Sequence, residues 1–243
     1  MIRQKTLISG AGYGIGREIA EKFAKEKHDL FLLIRKKKEK SSLKLLEKKY
    51  GIKTNIFVGD LRNINFINKL KKINYVHNVV NNAAMANTKF FINVSDKEFT
   101  DLVDVNLRAT YKISQIFSKK MIKKKIKGSI ISISSQLGHI GAYNRTLYCL
   151  SKFGLEGMTK SMALDLAKYG IRAVTVAPTK TLVRPFEQKK TPGRLNLIKK
   201  KIPLNKFSTK SEIASIVFFL TTSAAKSITG TSIISDGGWT AGK

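Results

Sequence analysis

Short apolar runs alternate with longer stretches of helical spacing along most of the chain. Residues 6–9, 30–34, 54–58, 76–80, 129–133, 173–177 and 232–234 read as seven strands, and the segments between them, such as 17–27 and 43–50, are long enough for crossover helices. That alternation predicts an α/β protein with a doubly wound, seven-stranded, mainly parallel sheet covered by helices on both faces. Ser95 with Glu98, and Thr209 with Glu212, have capping-box spacing and predict two helix starts. After the second, Ile213, Ile216, Val217 and Leu220 recur on one helical face and predict a core stripe. All four prolines fall between Pro178 and Pro203, which predicts a loop there. No repeat, linker or domain boundary interrupts residues 1–243, so a single domain is expected.

Composition changes the picture in one respect. The chain is 42% hydrophobic and 26% charged, ordinary for a globular domain, yet 46 Lys and Arg face 16 Asp and Glu for a formal charge of +30. An excess this large attracts nucleic acid, anionic lipid or an acidic protein partner. The same excess also follows from composition, because 37 of the cations are Lys and the chain is rich in Ile and Asn. The longest lysine runs are three residues, as at 36–38 and 123–125, so no basic tail is expected. One cysteine, Cys149, allows neither an internal disulfide nor a zinc thiolate cluster. With no secretory signal and no apolar run near the ~18 residues of a membrane span, a cytoplasmic protein is expected.

Chemistry first shows at the end of the first strand, in Ser9-Gly10-Ala11-Gly12-Tyr13-Gly14-Ile15-Gly16 ahead of a helix. Glycines at such a turn let a pyrophosphate approach the backbone, and the helix start favours its charge; a bare tight turn is the plainer reading. The end of the second strand offers no acid to accept from a ribose hydroxyl. It offers Arg35-Lys36-Lys37-Lys38, with Arg35 19 residues after Gly16, which suits the extra phosphate of NADP and predicts NADP(H) over NAD(H); a solvated lysine turn is the alternative. Asp60, after the third strand, either accepts from an adenine amino group or caps the next helix. Tyr148 and Lys152 share a helical face, but with 7 Tyr and 37 Lys in 243 residues about one such pair arises by chance. Context adds weight: Ser135 lies 13 residues before Tyr148, just beyond the fifth strand, and Asn106 lies on an earlier helix.

Together with Asn81-Asn82-Ala83-Ala84, Ala177-Pro178 and Asp236-Gly237-Gly238, these residues resemble the short-chain dehydrogenase/reductase family almost end to end. The resemblance implies a Rossmann domain, nicotinamide-dependent carbonyl or alcohol redox chemistry, and a homotetramer or homodimer. It implies cofactor contacts at Ser9, Gly10, Gly14, Ile15, Gly16, Asp60, Leu61, Asn82, Tyr148, Lys152, Pro178 and Thr181. Tyr148 is then the proton donor, with a pKa lowered by the Lys152 ammonium and an oxidised nicotinamide. Ser135 binds the substrate oxygen and Asn106 holds a relay water; the plainer readings are a turn cap for Ser135 and a satisfied helix bend for Asn106. Four departures stand out: Ser9 for Thr, Ala84 for Gly, Thr179 for Gly after Pro178, and Val183 at a position often Thr, a contact Thr181 is placed to replace.

Residues 179–207 are expected to form a substrate lid, and Arg184, Lys189, Lys190, Arg194 and the lysines at 199–201 suit an anionic substrate. The C-terminal pattern looks like that of 3-oxoacyl-acyl-carrier-protein reductases, which would place an acidic carrier protein against the lid and the lysines of 119–127. The alternative substrates are a nucleotide-linked or acidic sugar, or a small alcohol. A non-catalytic nucleic-acid or membrane binder on the same fold is the third reading, although no helix-turn-helix, zinc knuckle or aromatic-interleaved basic motif supports it. Neither nucleic acid nor membrane is therefore an expected partner.

Overall fold

In the computed structural model, residues 3–181 and 192–242 are described. Seven strands, β1 Lys5–Ser9, β2 Asp29–Ile34, β3 Thr54–Val58, β4 Asn78–Asn81, β5 Ser129–Ile133, β6 Arg172–Pro178 and β7 Ser232–Ser235, form one sheet in the order β3-β2-β1-β4-β5-β6-β7. Every pairing is parallel, where the sequence predicted only a mainly parallel sheet. The order reverses between β1 and β4, and at such a switch point the loops leaving neighbouring strands diverge and open a crevice.

Helices α1 Gly14–Lys25, α2 Lys40–Tyr50 and α8 Lys210–Phe219 cover one face, burying Ile19, Phe23, Leu43, Leu46, Ile213 and Val217 against β1, β2 and β6. On the other face lie α3 Ile64–Lys69, α5 Ala109–Lys123 and α6 Thr146–Ala167, with Ile67, Ile113, Phe117 and Met121 in a second core. Both cores exist because strands buried on two sides must be apolar on both, as the continuous runs in β1 and β4 are. Both predicted capping boxes form, Ser95 at the start of α4 Asp96–Val103 and Thr209 at the start of α8. The proline-bearing loop is interrupted by α7 Pro192–Lys200, with proline in the first turn, where its missing N–H is harmless. Val183, Arg184, Lys189, Lys190 and the side chain of Arg194 lie outside the described residues.

Helix ends follow one pattern with two kinds of residue. Gly51 after α2 and Gly170 after α6 take left-handed backbone, φ 65° and 69°, and so do Lys27 after α1 and Lys125 after α5, at 63° and 54°. In the latter pair the next residue's N–H closes the turn, His28 onto the Phe23 carbonyl at 3.0 Å and Ile126 onto that of Met121 at 2.9 Å. Among the described residues no helix is long and apolar enough to cross a membrane.

A polar line crosses the apolar sheet. Ser129 donates to Asn78 at 2.8 Å, Asn78 donates to the Thr6 hydroxyl at 3.3 Å, and Thr6 meets His28 Nδ1 at 2.9 Å. His28 is also edge-on to Phe23 and Phe218. Burial pushes its pKa down to about 4, with the His77 charge adding to the effect. Because the folded state disfavours the protonated ring, this stability is present above the ordinary pKa of 6.5 and is lost as pH falls toward about 4. Thermal unfolding of wild type should therefore lose roughly 2 kcal/mol more than His28→Gln between pH 7 and 4.5. Equal losses in the two proteins would contradict it.

Candidate active site

The glycine turn is shaped by close approach. Gly10 and Gly14 have φ of +67° and +62°, and a Cβ on Gly16 would stand 2.2 Å from the Gly10 carbonyl oxygen and 2.4 Å from Asn82 Nδ2. That contact brings the first turn of α1 onto the end of β4. The Ser9 hydroxyl accepts from the N–H groups of Asn82 and Ala83, at 3.0 and 3.1 Å, and Asn82 Nδ2 donates back to the carbonyls of Ser9 and Gly10. Helix α1 starts at Tyr13 with no capping side chain and no acid in its first turn, the arrangement in which an anion satisfies the opening N–H groups.

Above this turn, along the carboxyl ends of β1 to β4, runs a cavity of about 450 Å³. Gly10, Gly14, Ile15 and Asn82 form its floor, with Ala84 beside them. Arg35 and Lys36 bound one end together with Asp60 and Leu61; Tyr148 and Thr181 also line it. Most of the residues expected to touch a cofactor are thus brought to one surface. Ser9, Gly16, Lys152 and Pro178 are buried and act from behind it. The elongated floor of glycines, with its uncapped helix start and a cationic end, fits a phosphate-bearing dinucleotide.

Two side chains at the Arg35 end were invisible to local sequence reading. The single-turn helix Lys37–Glu39 folds Glu39 back over the glycine turn, so that a Cβ on Gly12 would meet its Oε2 at 1.8 Å. This corrects the expectation that no acid stands at the end of β2: one does, placed by the turn and not by the strand. The second is Arg62, whose Nε and Nη2 grip both oxygens of Asp60 at 3.1 and 2.7 Å while Nη1 reaches Asp101 at 3.0 Å. The Arg62 guanidinium holds the Asp60 carboxyl below its ordinary range, against the effect of burial. Asp60 does not cap α3; Asn63 does, accepting from Asn65 N–H at 2.9 Å.

At the other end, α6 presents Tyr148 and Lys152 one turn apart, and the single-turn helix Gln136–Gly138 after β5 presents Ser135. The Ser135 hydroxyl accepts from Leu137 N–H at 3.2 Å, so it does cap a turn, and it stands near enough to the Tyr148 phenol to favour the ionised form. Burial raises the Tyr148 pKa, and the nearby Ser135 hydroxyl and the Arg145 charge offset only part of the rise. This reverses the expected lowering by Lys152. The reason is geometric: Lys152 Nζ lies 5.5 Å from the Tyr148 ring centre and donates to the Ile133 carbonyl at 2.8 Å. Lys152 is itself 2% exposed, and burial brings its pKa down to about 8.

Asn106 sits in a π-helical turn, Asp104–Arg108, that joins α4 to α5. Its Oδ1 accepts from Met85 N–H at 2.7 Å, and its Nδ2 donates to the Met85 carbonyl at 2.9 Å and to Ser151 at 3.0 Å. Ser151 in turn donates to the Tyr148 carbonyl at 2.8 Å. In this structure the Asn106 side chain is a strut between the loop after β4 and the helix of Tyr148, closer to the helix-bend reading than to the relay.

A glycine turn at a switch point, an anion-ready helix start and a tyrosine facing the same cavity with a serine near its phenol define a dinucleotide-binding oxidoreductase architecture. Comparison with known proteins agrees. The family model described as enoyl-(acyl carrier protein) reductase matches residues 10–240. The 3-oxoacyl-[acyl-carrier-protein] reductase of Aquifex aeolicus is 32% identical over 246 residues, covering 96% of this chain and 96% of that protein. That of Rickettsia conorii is 33% identical over 234 residues, covering 96% and 95%. Among solved structures, a Beutenbergia cavernae protein assigned as an NAD(P)-dependent gluconate 5-dehydrogenase, with NADP bound at low occupancy, superposes with a TM-score of 0.91 at 26% identity, covering 98% of this chain and 97% of that one. Acetoin dehydrogenase from Salmonella typhimurium gives 0.89 at 25% identity, with 98% and 96% covered. The chain belongs to the short-chain dehydrogenase/reductase family and is an oxidoreductase.

Proposed function

We propose that the protein interconverts a ketone and a secondary alcohol with NADP(H), preferred over NAD(H), and that its substrate is a 3-oxoacyl thioester on acyl carrier protein. The observation that carries the reaction class is Tyr148 lining the cavity floored by the glycine turn, with Ser135 near its phenol. The glycine turn and Thr181 would hold a nicotinamide cofactor, whose chemistry when bound would be hydride transfer. Tyr148 gives its phenolic proton to the carbonyl oxygen, a task suited to a phenol that burial keeps protonated at neutral pH. Ser135 donates to the same oxygen as charge develops on it. Lys152 supports the site from beneath as a buried ammonium, and Asn106 fixes the Met85 loop along the cavity. Arg35 and Lys36 would take a 2′-phosphate, Asp60 the adenine amino group, and Thr181 the nicotinamide end.

The carrier-protein reading rests on the names of the sequence relatives and on the exposed lysines 123–125 at the end of α5. Of the expected lid over 179–207, residues 182–191 lie outside the described residues. A small polyol or acyloin is the second reading, favoured by the gluconate and acetoin enzymes among the structural relatives. The test follows NADPH absorbance with an acetoacetyl thioester free and on carrier protein, and in reverse with gluconate and acetoin. Turnover should be highest on the carrier protein and fall severalfold when Lys123, Lys124 and Lys125 become Gln. Turnover of polyol or acyloin alone would favour the second reading, and inactivity throughout with steeply salt-dependent nucleic-acid binding would favour a binder.

The assembly belongs to this reading as a homotetramer or homodimer in the cytoplasm. Phe99 on α4, Tyr111 on α5 and Leu150 and Phe153 on α6 leave large apolar side chains exposed, surface that another copy would cover. A monomeric mass by light scattering at micromolar concentration would remove it.

A further inference from the structure

One buried carboxylate has no part in the chemistry described so far. Glu156 lies on α6 one turn beyond Lys152 and is 8% exposed, in a chain with few acids. Its Oε2 accepts from the Thr175 hydroxyl of β6 at 2.6 Å. Its Oε1 accepts from the Ser232 hydroxyl of β7 at 3.3 Å and faces His139 Nε2, also at 3.3 Å. His139 follows the turn that begins at Ser135 and meets Ser232 at 3.1 Å. A buried carboxylate is expensive to desolvate, and this one is held by donors from three separate elements.

Lys152 has the complementary problem. Its ammonium carries three donors, and the protein gives it one carbonyl, that of Ile133. Burial works against its charge, and the Glu156 charge is what opposes burial. Other ionised groups near α6 are spent elsewhere. On α4 and the π-helical turn, Lys97 and Arg62 hold Asp101, Lys89 holds Glu98, Arg108 holds Asp104, and Asp96 is exposed. Arg172 on β6 donates to carbonyls at the other end of its strand, and Arg145 acts on Tyr148. Thr175 and Ser232 bring only hydroxyls. Tyr148 and Glu156 share the Lys152 face of α6, one turn to either side, and His139 touches Glu156.

We propose that Glu156 is a positioning residue that keeps the Lys152 ammonium charged beneath the tyrosine, its carboxylate fixed by Thr175, Ser232 and His139. The proposal rests on the reading of Lys152 given above. It predicts that Glu156→Gln lowers the Lys152 titration by about one pH unit and moves the alkaline limb of kcat/KM down with it. The measurement is a pH titration of protein labelled at lysine Cε, the Lys152 resonance being the one missing in Lys152→Met, alongside pH profiles with NADPH and an acetoacetyl thioester. His139→Lys places a permanent cation against the same carboxylate and should shift the titration in the same direction, which decides the matter if Glu156→Gln does not fold. An unmoved titration in the folded variants overturns the proposal while leaving the site reading intact. Wild-type turnover in Lys152→Met overturns the site reading itself, and the positioning role with it.

Discussion

Tyr148→Phe should lower kcat for carbonyl reduction by about 10³-fold while leaving the NADPH dissociation constant within about twofold, because the variant loses only a proton donor at the reacting oxygen. The aromatic ring stays to line the cavity, so binding and fold are spared. The raised pKa of Tyr148 adds a directional signature. Reduction needs the protonated phenol and should hold steady across neutral pH. Alcohol oxidation needs the phenolate to accept a proton and should climb with pH while Lys152 stays charged, up to about pH 8. Stopped-flow single turnovers in both directions measure this; undiminished reduction in the variant, or oxidation that falls as pH rises over that range, would remove Tyr148 from its role.

Cofactor choice should turn on two opposed charges at the Arg35 end. Arg35→Asp removes a charge-assisted contact and adds a repulsive one, and should cost NADPH about 100-fold in kcat/KM while sparing NADH. Glu39→Gln should act the other way, improving NADPH severalfold, because a half-buried carboxylate over Gly12 repels an added phosphate and suits a ribose hydroxyl. Equal losses with both cofactors in Arg35→Asp would take that residue out of phosphate recognition. An unchanged preference in Glu39→Gln would leave its carboxylate a bystander.

Most of the scaffold could be read from the chain because it is written in local patterns. Continuous apolar runs marked all seven strands to within a residue or two, and Ser95/Glu98 and Thr209/Glu212 marked two helix starts that form as capping boxes. Gly10, Gly14 and Asn82 reached the cavity as expected because a strand-to-helix turn fixes them. What escaped was set by contacts between distant segments. Glu39 depends on one short turn folding back across α1, Arg62 on Asp101 almost 40 positions later, and the direction of the Tyr148 shift on how deeply the phenol is enclosed. Lys152 shows the limit best: i, i+4 spacing placed it on the tyrosine's face, but only the fold shows its ammonium turned to Ile133. The α7 helix was missed because prolines read as breakers unless their place in the first turn is known.

The left-handed helix ends say something about the cations themselves. At Lys27 and Lys125 the backbone asks for a residue without a side chain, as Gly51 and Gly170 supply elsewhere, and a lysine there costs about 1 kcal/mol. Neither position needs an ammonium to close its turn, since main-chain atoms do so. At the first of these corners the ammonium does a different job, donating to the Tyr50 carbonyl at 2.9 Å, so that one of the 46 cations ties the end of α1 to the end of α2.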